Sequence, residues 1–170
     1  MLSPLRAVSG RKESAVKWVT RERPKIDRIA CPWLILRFID PQAEILYVPA
    51  ANVLSVAQAT GALPFDVPGV ALTHDGPQCS FDAFLRQYHL DDPALERLAV
   101  MIRGADTGRL DLAPQSAGLY AISLGLSALF ADDQELLRNG LIVYDALYAW
   151  CANLQHESHG WPPAEYRIAS

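Results

Sequence analysis

VKWVTRERPKIDRIACPWLILRFIDPQAEILYVP, residues 16–49, sets two short runs of β-branched and aromatic residues on either side of a helical pattern. VKWVT (16–20) and EILYVP (44–49) have the composition of strands. Between them Ile29, Trp33, Leu34 and Phe38 recur at helical spacing, and Asp27 is a candidate N-cap. Proline is tolerated in the first turn of a helix but removes a hydrogen bond deeper inside. Pro32 therefore places the expected helix start near Cys31 or Pro32, with Arg28 and Cys31 at its mouth.

The same alternation continues outward. Residues 51–60 read as a short helix ended by Gly61, and GVALTH (69–74) follows a Pro-Gly turn as a third strand candidate. The back half is helical in period, with helices expected at 80–89, 93–103, 114–130 and 133–154. Ser80, Asp92-Pro93, Pro114 and Asp132-x-x-Glu135 supply their starts. The expected fold is a helix-rich α+β domain, a small three-strand sheet in the N-terminal half packed against a C-terminal helical bundle. Its limits are a basic flexible arm over 1–17, one domain over 18–154 and a loose tail over 155–170.

Bulk properties narrow the function. With 170 residues, 51% of them apolar and 20% charged, the chain has the profile of one folded domain rather than a disordered segment. The net charge of −4 argues against a broad nucleic-acid or anionic-lipid surface, so nucleic acid is not an expected partner and any anion site must be local. Eight Lys and Arg nevertheless fall in the first 28 residues. Cys31, Cys79 and Cys151 are odd in number and far apart, which fits reduced thiols in the cytoplasm. The opening residues lack a signal-peptide apolar run and no window is long and apolar enough to span a membrane, so neither secretion nor membrane insertion is expected.

Three segments could carry chemistry. In HDGPQCSFDAF (74–84) His74 and Cys79 share a turn ahead of a helix, where a thiolate or an anion meets free backbone N–H groups. The same pair is also explained as a strand end and a capped helix start. RGADTGRLDLAP (103–114) gathers Arg103, Asp106, Thr107, Arg109 and Asp111 on what reads as a loop, which salt bridges alone could account for. Arg28 stands beside a helix start, able to grip an oxyanion or simply to pair with Asp27 or Asp40. Asp132 and Glu135 are accounted for by capping, and His156 with His159 lies in a Pro- and Gly-bearing tail unsuited to a closed zinc site. No Walker loop, GxGxxG, HExxH or GxSxG occurs.

Six stretches in order, DRIACPWLILRFIDP, FDVPGVALTH, CSFDAFL, RGADTGRLDLAP, AISLGLSALFADD and YDALYAWC, resemble the C-terminal domain of the chromate-resistance protein B family, from about Trp18 to Cys151. The resemblance implies a sensing or detoxifying domain whose small ligand is chromate or a metal ion. Relative to the family pattern the chain departs in the Gly76-Pro77-Gln78 turn and at Gln134. Two functions follow as expectations. In the first, His74 and Asp106 ligate a divalent transition metal while Arg28 and Arg103 neutralise an oxyanion. In the second, a cytoplasmic oxidoreductase acts on chromate or its oxidants, with Cys79 as electron donor or nucleophile and His74 as its acid–base partner. The apolar helices also make a homodimer reasonable.

Overall fold

The computed structural model describes residues 15–156. The basic arm lies almost wholly outside these residues, as does most of the tail, including His159.

Three strands, β1 (Lys17–Arg21), β2 (Glu44–Val48) and β3 (Leu63–Pro64), form one parallel sheet in the order β2-β1-β3. β1 pairs with β2 over its whole length, Lys17 against Glu44 through Arg21 against Val48, and with β3 at Trp18–Leu63 and Val19–Pro64. As the central strand β1 is covered on both faces. Trp18 packs into the main core with Ile29, Phe65 and Phe84, while Val19 points the other way to Val53, Ala62 and Val67. The connecting helices α1 (Asp27–Leu34) and α2 (Val53–Thr60) thus lie on opposite faces.

The third strand is not at 69–74 as expected but at Leu63–Pro64, and 69–74 is irregular. Gly69, at φ +85°, turns the chain there, and Asp66 N–H donates back to Leu72 C=O at 2.8 Å. A proline can occupy β3 because it sits at the sheet edge, where its missing N–H removes no ladder bond.

Helix α1 begins at Asp27, earlier than Pro32 suggested, and runs on as a π-helical turn over Ile35–Ile39. Pro32 cannot donate to the carbonyl of Arg28, and the Tyr47 hydroxyl takes that acceptor instead at 2.7 Å. The orphaned carbonyl is satisfied from β2. Gly61, at φ +73°, closes α2 as expected.

The helical half contains α3 (Ser80–Gln87), α4 (Pro93–Asp106), α5 (Ser116–Leu129) and α6 (Asp133–Ala149), the last extended by a π turn over Trp150–Leu154. Asp92 caps α4 through Ala94 N–H and Asp132 caps α6 through Glu135 N–H, each at 2.7 Å. Two starts differ from expectation. Cys79 rather than Ser80 is the N-cap of α3, with Asp82 accepting its N–H at 3.0 Å, and α5 starts at Ser116 rather than Pro114. The expected loop from Arg103 is also corrected: α4 continues through Asp106, and Gly108, at φ +72°, makes the turn. Arg103 and Asp106 therefore stand on the last helical turn, three residues apart.

α1 packs against α3, α4 and α6 over a core that includes Trp33, Phe81, Leu95, Ile102 and Tyr144. At the α1–α6 crossing Gly140 lets Ile29 approach so closely that a Cβ there would meet its Cγ2 at 2.6 Å.

Candidate functional site

Parallel strands with helices on alternating faces leave a crevice at their carboxyl ends, where the chain order reverses across the central strand. Here that point lies between β1 and β3, because β2 and β3 flank β1 on opposite sides. The chain leaving β1 delivers Asp27 to it, and the chain leaving β3 delivers Asp66. His74 arrives from the irregular segment that follows, and Asp106 from the end of α4.

These four side chains meet. His74 Nε2 lies 2.9 Å from Asp106 Oδ2, 3.6 Å from Asp27 Oδ2 and 3.6 Å from Asp66 Oδ1. One ligand atom from each of Asp27, Asp66 and His74 lies within 4.8 Å of the other two. Asp27 is 1% exposed and Asp66 5%, whereas the His74 side chain is 42% exposed, so solvent reaches the cluster past the imidazole.

Each carboxylate is held by its surroundings. Asp27 does not cap its own helix; it accepts Ser80 N–H at 2.6 Å and Phe81 N–H at 3.3 Å, which fixes it at the N-terminus of α3. Asp66 takes Ser80 Oγ–H on Oδ1 at 2.8 Å, and its Oδ2 faces Arg21 Nη2 at 2.8 Å and Arg28 Nε at 3.4 Å. Two of the local backbone conformations are strained: Asp66 has φ +52°, and Ile26, just before Asp27, has φ +36°. Ile26 is β-branched and is held there by a hydrogen bond from its N–H to Ser123 Oγ and one from Tyr144 O–H to its carbonyl.

Crowding three acidic groups in a buried place has an electrostatic consequence. Burial, then Asp106 and Asp66, holds the Asp27 carboxyl well above the usual carboxylate range. Asp106 is raised as well, by burial and by Asp66, with His74 opposing. Such a cluster favours a bound proton or cation. Burial, followed by the neighbouring Arg21, lowers the pKa of Arg28.

Of the other candidates, Arg28 borders the cluster through Asp66 and the rest lie elsewhere. Arg103 makes a two-pronged ion pair with Asp82, Nε to Oδ2 at 2.9 Å and Nη2 to Oδ1 at 2.6 Å, and has no contact with the cluster. Arg28 pairs with Asp66, not Asp27 or Asp40, and also donates to the carbonyls of Arg21 and Glu22. Cys79 is fully buried, its thiol 3.5 Å from Asp82 Oδ2, and burial followed by Asp27 and Asp82 pushes its pKa far up, away from thiolate chemistry. Arg109 and Asp111 pair with each other at the surface. Gln134 donates to Ile45 C=O, and the Gly76-Pro77-Gln78 turn is exposed or half-buried, so neither departure from the family pattern enters the cluster.

Sequence reading missed Asp66 and took Asp27 for a cap. The signal for Asp66 was available in LPFDVPG (63–69), an acidic residue directly after a short apolar run, but it required the strand to be placed at 63–64 rather than 69–74.

Residues 18–151 match the family described as "ChrB, C-terminal domain". The chain is 38% identical over 134 residues to Protein ChrB of Cupriavidus metallidurans, an alignment covering 78% of this chain and 40% of that protein. No solved structure matches. The chain thus spans well under half the length of its curated relative, and all four clustered residues lie inside the matched region. On this match the chain belongs to the ChrB C-terminal domain family, that of chromate-resistance protein B.

Proposed function

We propose that this domain serves chromate resistance by binding a metal ion at Asp27, Asp66, His74 and Asp106, as a sensing or detoxifying module of the cytoplasm. One observation carries the reading: the imidazole nitrogen lies 2.9, 3.6 and 3.6 Å from three separate carboxylate oxygens. Around an ion with bonds of about 2.1 Å, adjacent donors stand about 3.0 Å apart in an octahedron and about 3.4 Å in a tetrahedron. These three distances from the imidazole nitrogen fall near the edges of a coordination shell, and Asp27, Asp66 and His74 each offer a ligand atom within 4.8 Å of the other two. Three carboxylates and an imidazole suit divalent first-row ions such as Mn2+, Fe2+, Co2+ or Zn2+.

Charge favours a cation over an oxyanion at this cluster. An oxyanion placed directly on this cluster would face three carboxylates, whereas a cation relieves the strain that raises Asp27 and Asp106. The oxidoreductase reading gains no such support, because Cys79 is buried, which pushes its pKa up and away from the thiolate, and its thiol is turned to Asp82.

The experiment is metal analysis of protein purified without chelator, followed by calorimetric titration of the stripped protein with Mn2+ and Zn2+. One ion per chain is expected, with affinity reduced about 10- to 100-fold or more in His74→Ala and in Asp27→Asn. Stripped, folded protein that takes up neither ion would overturn the reading.

A further inference from the structure

We propose that the outer face of helix α5 is an interface, and that its occupant is α5 of a second copy of this chain, packed antiparallel across a two-fold axis. No charged residue lies between Asp111 and Asp132, a stretch that contains the whole of α5. The helix also inverts the usual amphipathic pattern, burying serines and exposing large apolar side chains. Ser116, Ser123 and Ser127 are buried, whereas Tyr120 is 42% exposed, Ile122 48% and Leu129 78%. The serines are engaged inside the chain: Ser116 Oγ donates to Met101 C=O, Ser123 Oγ accepts Ile26 N–H, and Ser127 C=O accepts from Arg23. Among the described residues, nothing covers the opposite face.

The glycines of the helices point the same way. A Cβ on Gly104 would run into Ser116 and one on Gly140 into Ile29, so close packing within the chain explains both. Gly118 and Gly125 have nothing within 4 Å of a Cβ. Glycine weakens a helix interior, and here no contact among the described residues offsets that. With Ala121 and Ala128 these two glycines form an exposed line of small residues spaced three, four and three apart, the seam spacing at which two helices wind against each other. At 100° per residue, Ile122 and Leu129 border this line on one side and Leu124 on the other. Small side chains on such a seam let two helix axes approach closely, and the larger apolar groups then close around it.

A second copy fits this face better than other occupants. The seam is centred on Ser123, so antiparallel pairing sets Gly118 against the partner subunit's Ala128 and Ala121 against the partner subunit's Gly125. A two-fold contact of this kind covers the same face on both subunits at once. A charged partner finds no ion pair on α5. A lipid surface is disfavoured because the face carries no Lys or Arg and is flanked by exposed Asp111 and Asp132. Area sets the strength of the contact. With 14 residues α5 is about 21 Å long and about 10–12 Å across, a footprint of roughly 200–250 Å² against roughly 800 Å² per partner in a standard interface. The dimer is therefore reversible, with a Kd on the order of 10–100 µM. No residue of α5 belongs to the Asp27, Asp66, His74 and Asp106 cluster, so association is independent of metal uptake.

Sedimentation velocity of the full chain from about 10 µM to about 1 mM tests the proposal. The mass should rise from one chain to two, stop there, and fall again on dilution. Ala121→Glu, at an exposed position, should keep the protein a single chain throughout. Gly125→Ala should weaken the dimer at least about fivefold by filling the seam, while better helix propensity raises the Tm of dilute protein, a combination that misfolding cannot produce. Protein that stays a single chain at the highest concentration overturns the inference, whether or not it cosediments with phosphatidylcholine vesicles, and so does a dimer that both substitutions leave intact.

Discussion

Asp27 joins two parts of the structure: it caps α3 from outside and faces His74 in the cluster. Its carboxyl is raised by burial and by the neighbouring acids, and Asp106 is raised for the same reasons. The sign of the pH dependence follows. A carboxyl whose folded pKa is above its unfolded one binds more protons in the folded state, so its contribution is fully present below the unfolded pKa and is lost as pH rises through the folded value. Metal-free protein should therefore lose stability from this source as pH increases above about 4, the usual carboxylate range. Chemical denaturation across pH 4.5 to 8 checks it at ~0.15 M salt, and the slope should be shallower in Asp106→Asn; an equal slope in both proteins refutes the electrostatic account. Tyr47 offers a simpler residue-scale case. Tyr47→Phe strands the Arg28 carbonyl that Pro32 cannot serve, and should cost about 1–3 kcal/mol in urea denaturation.

At the scale of elements, the helices were legible in the sequence to within a few residues because capping and period act locally. Asp92-Pro93 and the Asp132 cap fixed the starts of α4 and α6, and Gly61 fixed the end of α2. What local signals missed had non-local causes. The start of α1 at Asp27 depends on partners from β2, α5 and α6 that hold Ile26 and the Arg28 carbonyl, which offset an early proline. β3 is two residues long, and no period can be read from two residues. The site divided along the same line: His74, Asp106 and Arg28 stood out as polar groups in their own segments, whereas Asp66 acquires meaning from the strand before it and Asp27 from the helix it reaches across to. Gly140 is another non-local residue, placed mid-helix in α6 for the sake of Ile29. Gly140→Ala should lower stability by about 1–3 kcal/mol through overpacking, despite alanine's better helix propensity. The loss should shrink when Ile29→Val is added, and additive effects in the double-mutant cycle would show that the contact is not responsible.

For the whole molecule, the four clustered side chains come from the β1–α1 junction, the segment after β3 and the end of α4, so the cluster ties the sheet to the helical half. A ligand held by all three cannot bind a chain in which either half has come apart. Its binding energy is then added to the cooperative unfolding of the whole domain rather than to a local loop. At a free metal concentration of about 100 times Kd this amounts to about 2.7 kcal/mol. For a domain of this length such a gain raises Tm by about 5–10 °C. Scanning calorimetry of the stripped protein with increasing Mn2+ should show one transition moving upward, and Asp66→Asn or Asp106→Asn should reduce the shift to a few degrees or less. Two separating transitions, only one of them responding to metal, would mean that the cluster fastens a segment rather than joining the two halves, and would remove the physical basis for reading metal occupancy as a signal felt across the domain.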